Sequence, residues 1–260
     1  MRFDETPALE NVSFDLRAGE TCVLLGAAGS GKTVLLKTAL GLIRPDSGSV
    51  HLFGEPIGRF REQELFVLRS RLGMLFQEGA LFDSLTVEEN VAYPLLNQKS
   101  LRCPAEDVPG RVREALRFVE LEHTLEKLPS ELSGGMRRRV GIARAIVTGP
   151  ALLLYDSPTA GLDPITANKI MALIAKERDV RRTTSVVVTH RYQDGHLLAN
   201  YRWSPAAGRL EPKADDGGGA GNRTRFLVLE HGRVVFEGSQ TELLASTDPY
   251  VSKFAKRLKE

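Results

Sequence analysis

The feature that most constrains this 260-residue chain is Gly26-Ala-Ala-Gly-Ser-Gly-Lys-Thr33. It fits G-x-x-x-x-G-K-[ST] and stands between an apolar run, Thr21-Cys-Val-Leu-Leu-Gly26, and a helix-like pattern over Thr33–Leu42. Glycines let a strand-to-helix turn curl until successive N–H groups face inward at a helix N-terminus, where the dipole favours an anion. A turn of this kind commits the chain to an α/β arrangement. Further apolar runs, Leu72–Phe76, Ala151–Tyr155 and Ser185–Thr189, read as buried strands, with Pro164–Arg178 as a helix between two of them. The alternation predicts a mostly parallel sheet.

The phosphate motif assigns Gly26, Ala27, Ala28, Gly29, Ser30, Gly31, Lys32 and Thr33 to nucleotide binding. Lys32 would reach the β- and γ-phosphates and the Thr33 hydroxyl would ligate Mg²⁺. Asp156 closes an apolar strand, the place for a second Mg²⁺-holding acid. Charge adds little: 35 Lys and Arg against 33 Asp and Glu leave +2, so no nucleic-acid partner is expected. The apolar runs are strand-length and too short to cross a bilayer, and Met1–Pro7 lacks the apolar core of a signal peptide. Cys22 and Cys103 form no metal or redox motif, as in a reduced cytosolic chain.

Leu132-Ser-Gly-Gly-Met136 then carries a resemblance to the ABC-transporter ATPases, whose signature is LSGGQ. The resemblance covers nearly the whole chain. It implies a P-loop NTPase (RecA-like) α/β core with a mostly parallel sheet, an inserted helical subdomain and antiparallel edge strands. The expected organisation is one domain over 1–260, with core segments 1–78 and 150–260, a helical signature subdomain over 79–149 and a flexible loop over 204–224. A hairpin, Phe226–Phe236, and helices around Thr241–Ala245 and from Tyr250 onward close the chain.

The resemblance also implies roles. Ser133, Gly134 and Gly135 would face the γ-phosphate held by the opposite subunit of a head-to-tail dimer. Gln77 corresponds to the Q-loop glutamine that senses Mg²⁺ and water, Asp163 to the D-loop acid and His190 to the switch histidine. Phe3 stands where the family stacks an aromatic on adenine, although a further strand usually precedes it. The family's general base follows the strand Asp, and here that residue is Ser157, which places Ser157 at the catalytic position without a carboxylate. Slow ATP hydrolysis and an ATP-gated regulatory role are the corresponding alternatives. Arg137, Arg138 and Arg139 read as a solvated helix face.

The stretch Gly73–Val91, with Gly-Ala-Leu-Phe-Asp-Ser-Leu-Thr-Val over 79–87, resembles the ATPases of MCE-type lipid-transport systems such as the Mla phospholipid-trafficking system. Met136 and Asp163-Pro-Ile-Thr166 point the same way. This likeness implies ATP and Mg²⁺ as cofactors. Its partners would be a second copy of the ATPase, a membrane permease contacted around Leu81–Thr86, an MCE-domain protein and a STAS-domain protein. It also implies a peripheral position on the cytoplasmic face of the inner membrane. Transport of another substrate, such as an amino acid or lipoprotein, is the alternative within the class.

Overall fold

The computed structural model describes residues 2–3, 6–98, 100, 103–213 and 224–256. Its centre is a six-stranded sheet built from β1 (Thr21–Leu25), β2 (Leu72–Leu75), β3 (Leu152–Asp156), β4 (Thr184–Thr189) and, after a hairpin formed by β5 (Tyr201–Ser204) and β6 (Arg209–Pro212), β7 (Thr224–Glu230) and β8 (Arg233–Gly238). The order across the sheet is β8-β7-β1-β4-β3-β2. All neighbours run parallel except the edge pair β7–β8. The α/β class, the four strands and the closing hairpin therefore stand as expected. β1 is buried along its length and β4 along all but its first residue, the pattern of strands covered on both faces.

Helices flank the sheet: α1 (Lys32–Ala39), α2 (Glu62–Arg69), α3 (Val87–Asn97), α4 (Val108–Phe118), α5 (Gly134–Ile146), α6 (Pro164–Arg181), α7 (Tyr192–Asn200), α8 (Gln240–Ala245) and α9 (Pro249–Lys256). One core contains Val23, Leu75, Val140, Ile170 and Val187, and a second, on the other face, contains Leu24, Leu36, Leu154 and Val188. Successive residues of one strand thus feed opposite cores, as the two-residue period requires. Among the described residues no helix is long and apolar enough to cross a membrane. Cys22 and Cys103 are free, and burial pushes the Cys22 thiol up to about 12.

α5 lies against β2 at Gly73, where an added Cβ would sit 2.1 Å from the Ala145 carbonyl oxygen and 2.6 Å from Leu153 Cδ2. Since the obstacle is backbone, Gly73→Ala forces the helix off the sheet. We expect a loss of about 1–3 kcal/mol and a Tm lower by about 4–10 °C, read by thermal unfolding. An unchanged Tm would show that α5 rides more loosely than this packing implies.

Two expectations need correction. Residues 204–224 are not one loop. Their first part belongs to the antiparallel β5–β6 hairpin, and Thr224 opens β7. Gly208, at φ 64°, closes the turn and donates its N–H to Ser204 O at 2.8 Å. The hairpin docks on α6 through Trp203 N–H to Asp179 Oδ2 at 2.7 Å, with Lys176 Nζ 5.2 Å from the Trp203 ring centre. Residues 214–223, which hold the Gly-rich run behind the loop expectation, lie outside the described residues.

The arginine triplet is not a solvated face either. Arg138 is 3% exposed, and it donates from Nη1 to Ser157 O at 3.3 Å and from Nη2 to Ala160 O at 2.9 Å. Helical periodicity turns the middle residue of three inward, and the guanidinium is tolerated there because carbonyls satisfy it.

Candidate functional site

Register brings the site together. Leu25 pairs with Thr189, Asp156 with Val188 and Leu75 with Tyr155, so β1, β4, β3 and β2 end level with one another. The segments that follow them, Gly26–Thr33, His190, Ser157 and Gln77, therefore emerge side by side at the carboxyl edge of the sheet. Parallel α/β sheets bind their ligands at that edge.

The turn Gly26–Gly31 is built on glycine for steric reasons. A Cβ on Gly26 would meet Ser30 Oγ at 2.5 Å and Leu229 O at 2.6 Å. Gly31 caps α1 at φ 103°, where a Cβ would also stand 2.7 Å from Ala8 O. The first turn of α1 holds no acidic residue, which leaves the positive end of its dipole uncompensated. Lys32 Nζ curls over the turn and donates to Gly26 O at 2.9 Å, Ala27 O at 2.6 Å and Ser30 Oγ at 3.3 Å. Burial lowers its pKa, and the charge of Asp156 opposes that shift, which places the ammonium and the carboxylate within electrostatic reach.

Asp156 is 7% exposed at the end of β3. Ser157 follows it at φ 51°, a left-handed conformation that costs a non-glycine residue about 1–3 kcal/mol. Its N–H donates to Val188 O at 2.9 Å and its hydroxyl donates to Asp156 Oδ1 at 3.0 Å. As a hydrogen-bond donor toward a carboxylate, that hydroxyl is oriented against accepting a proton from water. Thr33, Gln77 and His190 are exposed. Thr33, Asp156 and Gln77 offer hydroxyl, carboxylate and amide oxygens. Mg²⁺ takes hard donors of this kind beside phosphate oxygens and waters, so the donor set fits that ion.

The signature residues lie on the helical side. Ser133 caps α5, its hydroxyl accepting Met136 N–H at 3.3 Å. Gly135 packs so close to α6 that a Cβ would meet Thr166 Cγ2 at 2.6 Å, while the nearest neighbour of a Cβ on Gly134 is Leu162 at 3.8 Å. Asp163 caps α6 by accepting Thr166 N–H at 3.0 Å, and hydrogen bonds from Thr166 hold its carboxyl below the ordinary range. The signature turn and Asp163 thus meet at Thr166. Phe3 falls in a two-residue bridge, Arg2–Phe3 with Thr6–Pro7, and its side chain lies outside the described residues.

Several residues of this region escape sequence reasoning. Arg144 of α5 donates from Nη2 to Gly79 O and Ala80 O, both at 2.9 Å, and so grips the segment that carries Gln77. Together with Arg138 it ties the signature helix to both neighbouring loops. Tyr250 of α9 receives the Ala27 N–H at 3.0 Å and donates to Leu229 O at 3.2 Å, which joins the end of the chain to the phosphate turn. Asp194 of α7 accepts hydroxyls from Thr159 and Thr189. Apart from Thr189, five residues before Asp194, each partner is far away in sequence or belongs to a backbone, so no spacing betrays it.

Comparison with known proteins agrees with this arrangement. A family profile described as ABC transporter matches residues 9–160. The methionine import ATP-binding protein MetN of Mesorhizobium japonicum is 42% identical over 255 residues, 97% of this chain and 62% of its own length. The chain therefore spans less than two thirds of that relative. The intermembrane phospholipid transport system ATP-binding protein MlaF of Escherichia coli K12 is 35% identical over 245 residues, 94% of this chain and 81% of the relative. Among solved structures, the dimeric post-hydrolysis state of the ATP-binding cassette MJ0796, bound to ADP and Pi, superposes with a TM-score of 0.75 at 30% identity, covering 92% of this chain and 94% of that one. With a phosphate turn, a strand-end acid and a capped LSGGM helix on this fold, the chain belongs to the ABC transporter family, as an ATP-binding cassette of the ABC ATPase type.

Proposed function

We propose that this chain is the ATP-hydrolysing, energy-coupling subunit of a transporter that moves phospholipid through an MCE-type system. The observation that carries the ATP assignment is Lys32 folded over a glycine turn, within electrostatic reach of Asp156, at the head of an acid-free helix N-terminus. In this reading the amides from Gly26 to Thr33, with Ala27, Ala28, Gly29, Ser30 and Gly31 between them, cradle the phosphates and Lys32 neutralises them. Thr33, Asp156 and Gln77 would hold Mg²⁺, which would supply positive charge to offset that of the phosphates. His190 contacts the γ-phosphate, Phe3 is the residue assigned to the adenine, and Asp163 links the two sites. Ser133, Gly134 and Gly135 of a second copy close over the nucleotide. Ser157 leaves the attacking water without the usual carboxylate, so hydrolysis is slow.

The lipid assignment draws on the segment after Gln77 and on the likeness to MlaF over 94% of the chain. Phe76, Phe82, Tyr93 and Leu96, on the segment around Gln77 and on α3, are 40–63% exposed, and Phe82 and Tyr93 lie 4.6 Å apart between ring centres. Exposed apolar side chains of this kind suit the docking of a permease helix. An MCE-domain protein, a STAS-domain protein and a peripheral place on the cytoplasmic face complete the proposal. The 42% identity to MetN supports a second reading, methionine import.

The two separate in one experiment: co-purify the chain with its membrane permease, reconstitute the complex, and follow ATP-dependent transfer of labelled phospholipid against uptake of labelled methionine. Phospholipid transfer that stops without ATP is the expected result. Methionine uptake without lipid transfer would overturn the lipid reading.

A further inference from the structure

Asp194 is 2% exposed in the first turn of α7, and its Oδ2 accepts two hydroxyl hydrogens, from Thr159 at 2.6 Å and Thr189 at 2.7 Å. Both threonines are 1% exposed. They belong to different structural units. Thr189 is the last residue of β4, directly before His190, whereas Thr159 sits in the turn that begins at Ser157. Arg191 adds to the junction, its N–H donating to Thr189 Oγ1 at 3.0 Å and its Nε lying 3.9 Å from Asp194 Oδ1. One buried carboxylate therefore spans the gap between the strand that presents His190 and the loop that follows Asp156.

We propose that Asp194 is a positioning residue of the nucleotide site: through Thr189 it fixes the strand end that presents His190, and through Thr159 it locks that end to the Ser157 turn. A carboxylate serving only to start α7 needs backbone N–H partners, and these two hydroxyls lie on other segments. Two short bonds on one charged oxygen, away from water, hold both segments in a single geometry. Ser157 N–H to Val188 O closes the same junction through the main chain. The inference rests on the reading of His190 as a γ-phosphate contact. Its signature is discrimination between nucleotides with and without that phosphate, since the turn that holds the other phosphates makes no use of Asp194.

The test is calorimetric titration of the full chain with AMP-PNP and with ADP, each with Mg²⁺, for wild type, Asp194→Ala, Asp194→Asn, Thr159→Val, His190→Ala and Lys32→Ala. Asp194→Ala should lower the preference for AMP-PNP over ADP about tenfold while ADP affinity stays within about twofold. Asp194→Asn, whose amide oxygen can still accept, should recover most of the preference. Thr159→Val keeps the shape, removes one hydroxyl and remains folded should Asp194→Ala fail to fold; about a threefold loss is expected. In the His190→Ala background, Asp194→Ala should change the preference less than twofold, because residues acting through one another are not additive. An unchanged preference in folded variants, an equal fall in both affinities, or full additivity with His190→Ala overturns the proposal alone. Wild type binding no better than Lys32→Ala overturns the nucleotide reading itself, and this inference with it.

Discussion

Replacing Lys32 with alanine takes ATP turnover to background and weakens ATP binding by at least about a hundredfold. The ammonium is the single cation placed by the described turn itself. It is held over the phosphate cradle by Gly26 O, Ala27 O and Ser30 Oγ. An arriving polyphosphate offers it charged acceptors in place of those three neutral ones. Charge-assisted bonds contribute about 1.5–3 kcal/mol each, and two of them correspond to at least a hundredfold in affinity. The loss should be specific to binding. Burial already lowers the Lys32 pKa, a sign that the folded protein does not favour the charge on its own account, so the variant should melt within a few degrees of wild type. Calorimetric titration with ATP and a thermal melt decide it. A Kd within threefold of wild type would mean that the phosphates lie elsewhere.

Much of this site was legible before any coordinates, for a physical reason. The phosphate turn, Asp156, Ser157, Gln77 and His190 all sit at the ends of strands announced by apolar runs, and parallel topology gathers strand ends on one edge. Local chemistry therefore located the groups that gather at that edge. What stayed hidden was the support behind them. Arg138 reads as one of three surface arginines, yet it turns inward to hold the carbonyls of Ser157 and Ala160. Asp194 looks like an ordinary acid in the first turn of a helix until the hydroxyl of Thr159, 35 positions away, joins that of Thr189 on its carboxylate. Tyr250 lies 223 positions from the amide it receives. The hairpin over 201–212 was obscured differently: the glycine run that follows it dominates the composition of the window, although Tyr201–Ser204 and Arg209–Pro212 pair residue for residue. Backbone acceptors and tertiary docking leave no period in a sequence, whereas glycine turns and apolar strands do.

Ser157→Glu should raise ATP turnover about a hundredfold or more at saturating ATP, the lower end of what a general base contributes. The Ser157 hydroxyl is committed as a donor to Asp156 Oδ1 and has no tendency to take a proton near neutral pH. A glutamate at the same Cα supplies a carboxylate, ordinarily ionised well below pH 7, on a side chain longer than that of Asp156. The backbone should accept it. Ser157 already carries the cost of φ 51°, so a second non-glycine residue adds little strain, and its N–H bond to Val188 O and the Arg138 grip on its carbonyl do not depend on the side chain. Losing the hydroxyl bond to Asp156 and placing a second negative charge beside it should cost some stability, which bound Mg²⁺ and Lys32 offset. Ser157→Gln, equal in length but without a base, separates chemistry from shape. Turnover that rises in the glutamate variant and not in the glutamine variant identifies the missing carboxylate as the rate defect, and the native chain then works chiefly as an ATP-gated switch. Brisk wild-type turnover that neither substitution improves would assign the activation of water to another group and make the subunit an ordinary motor.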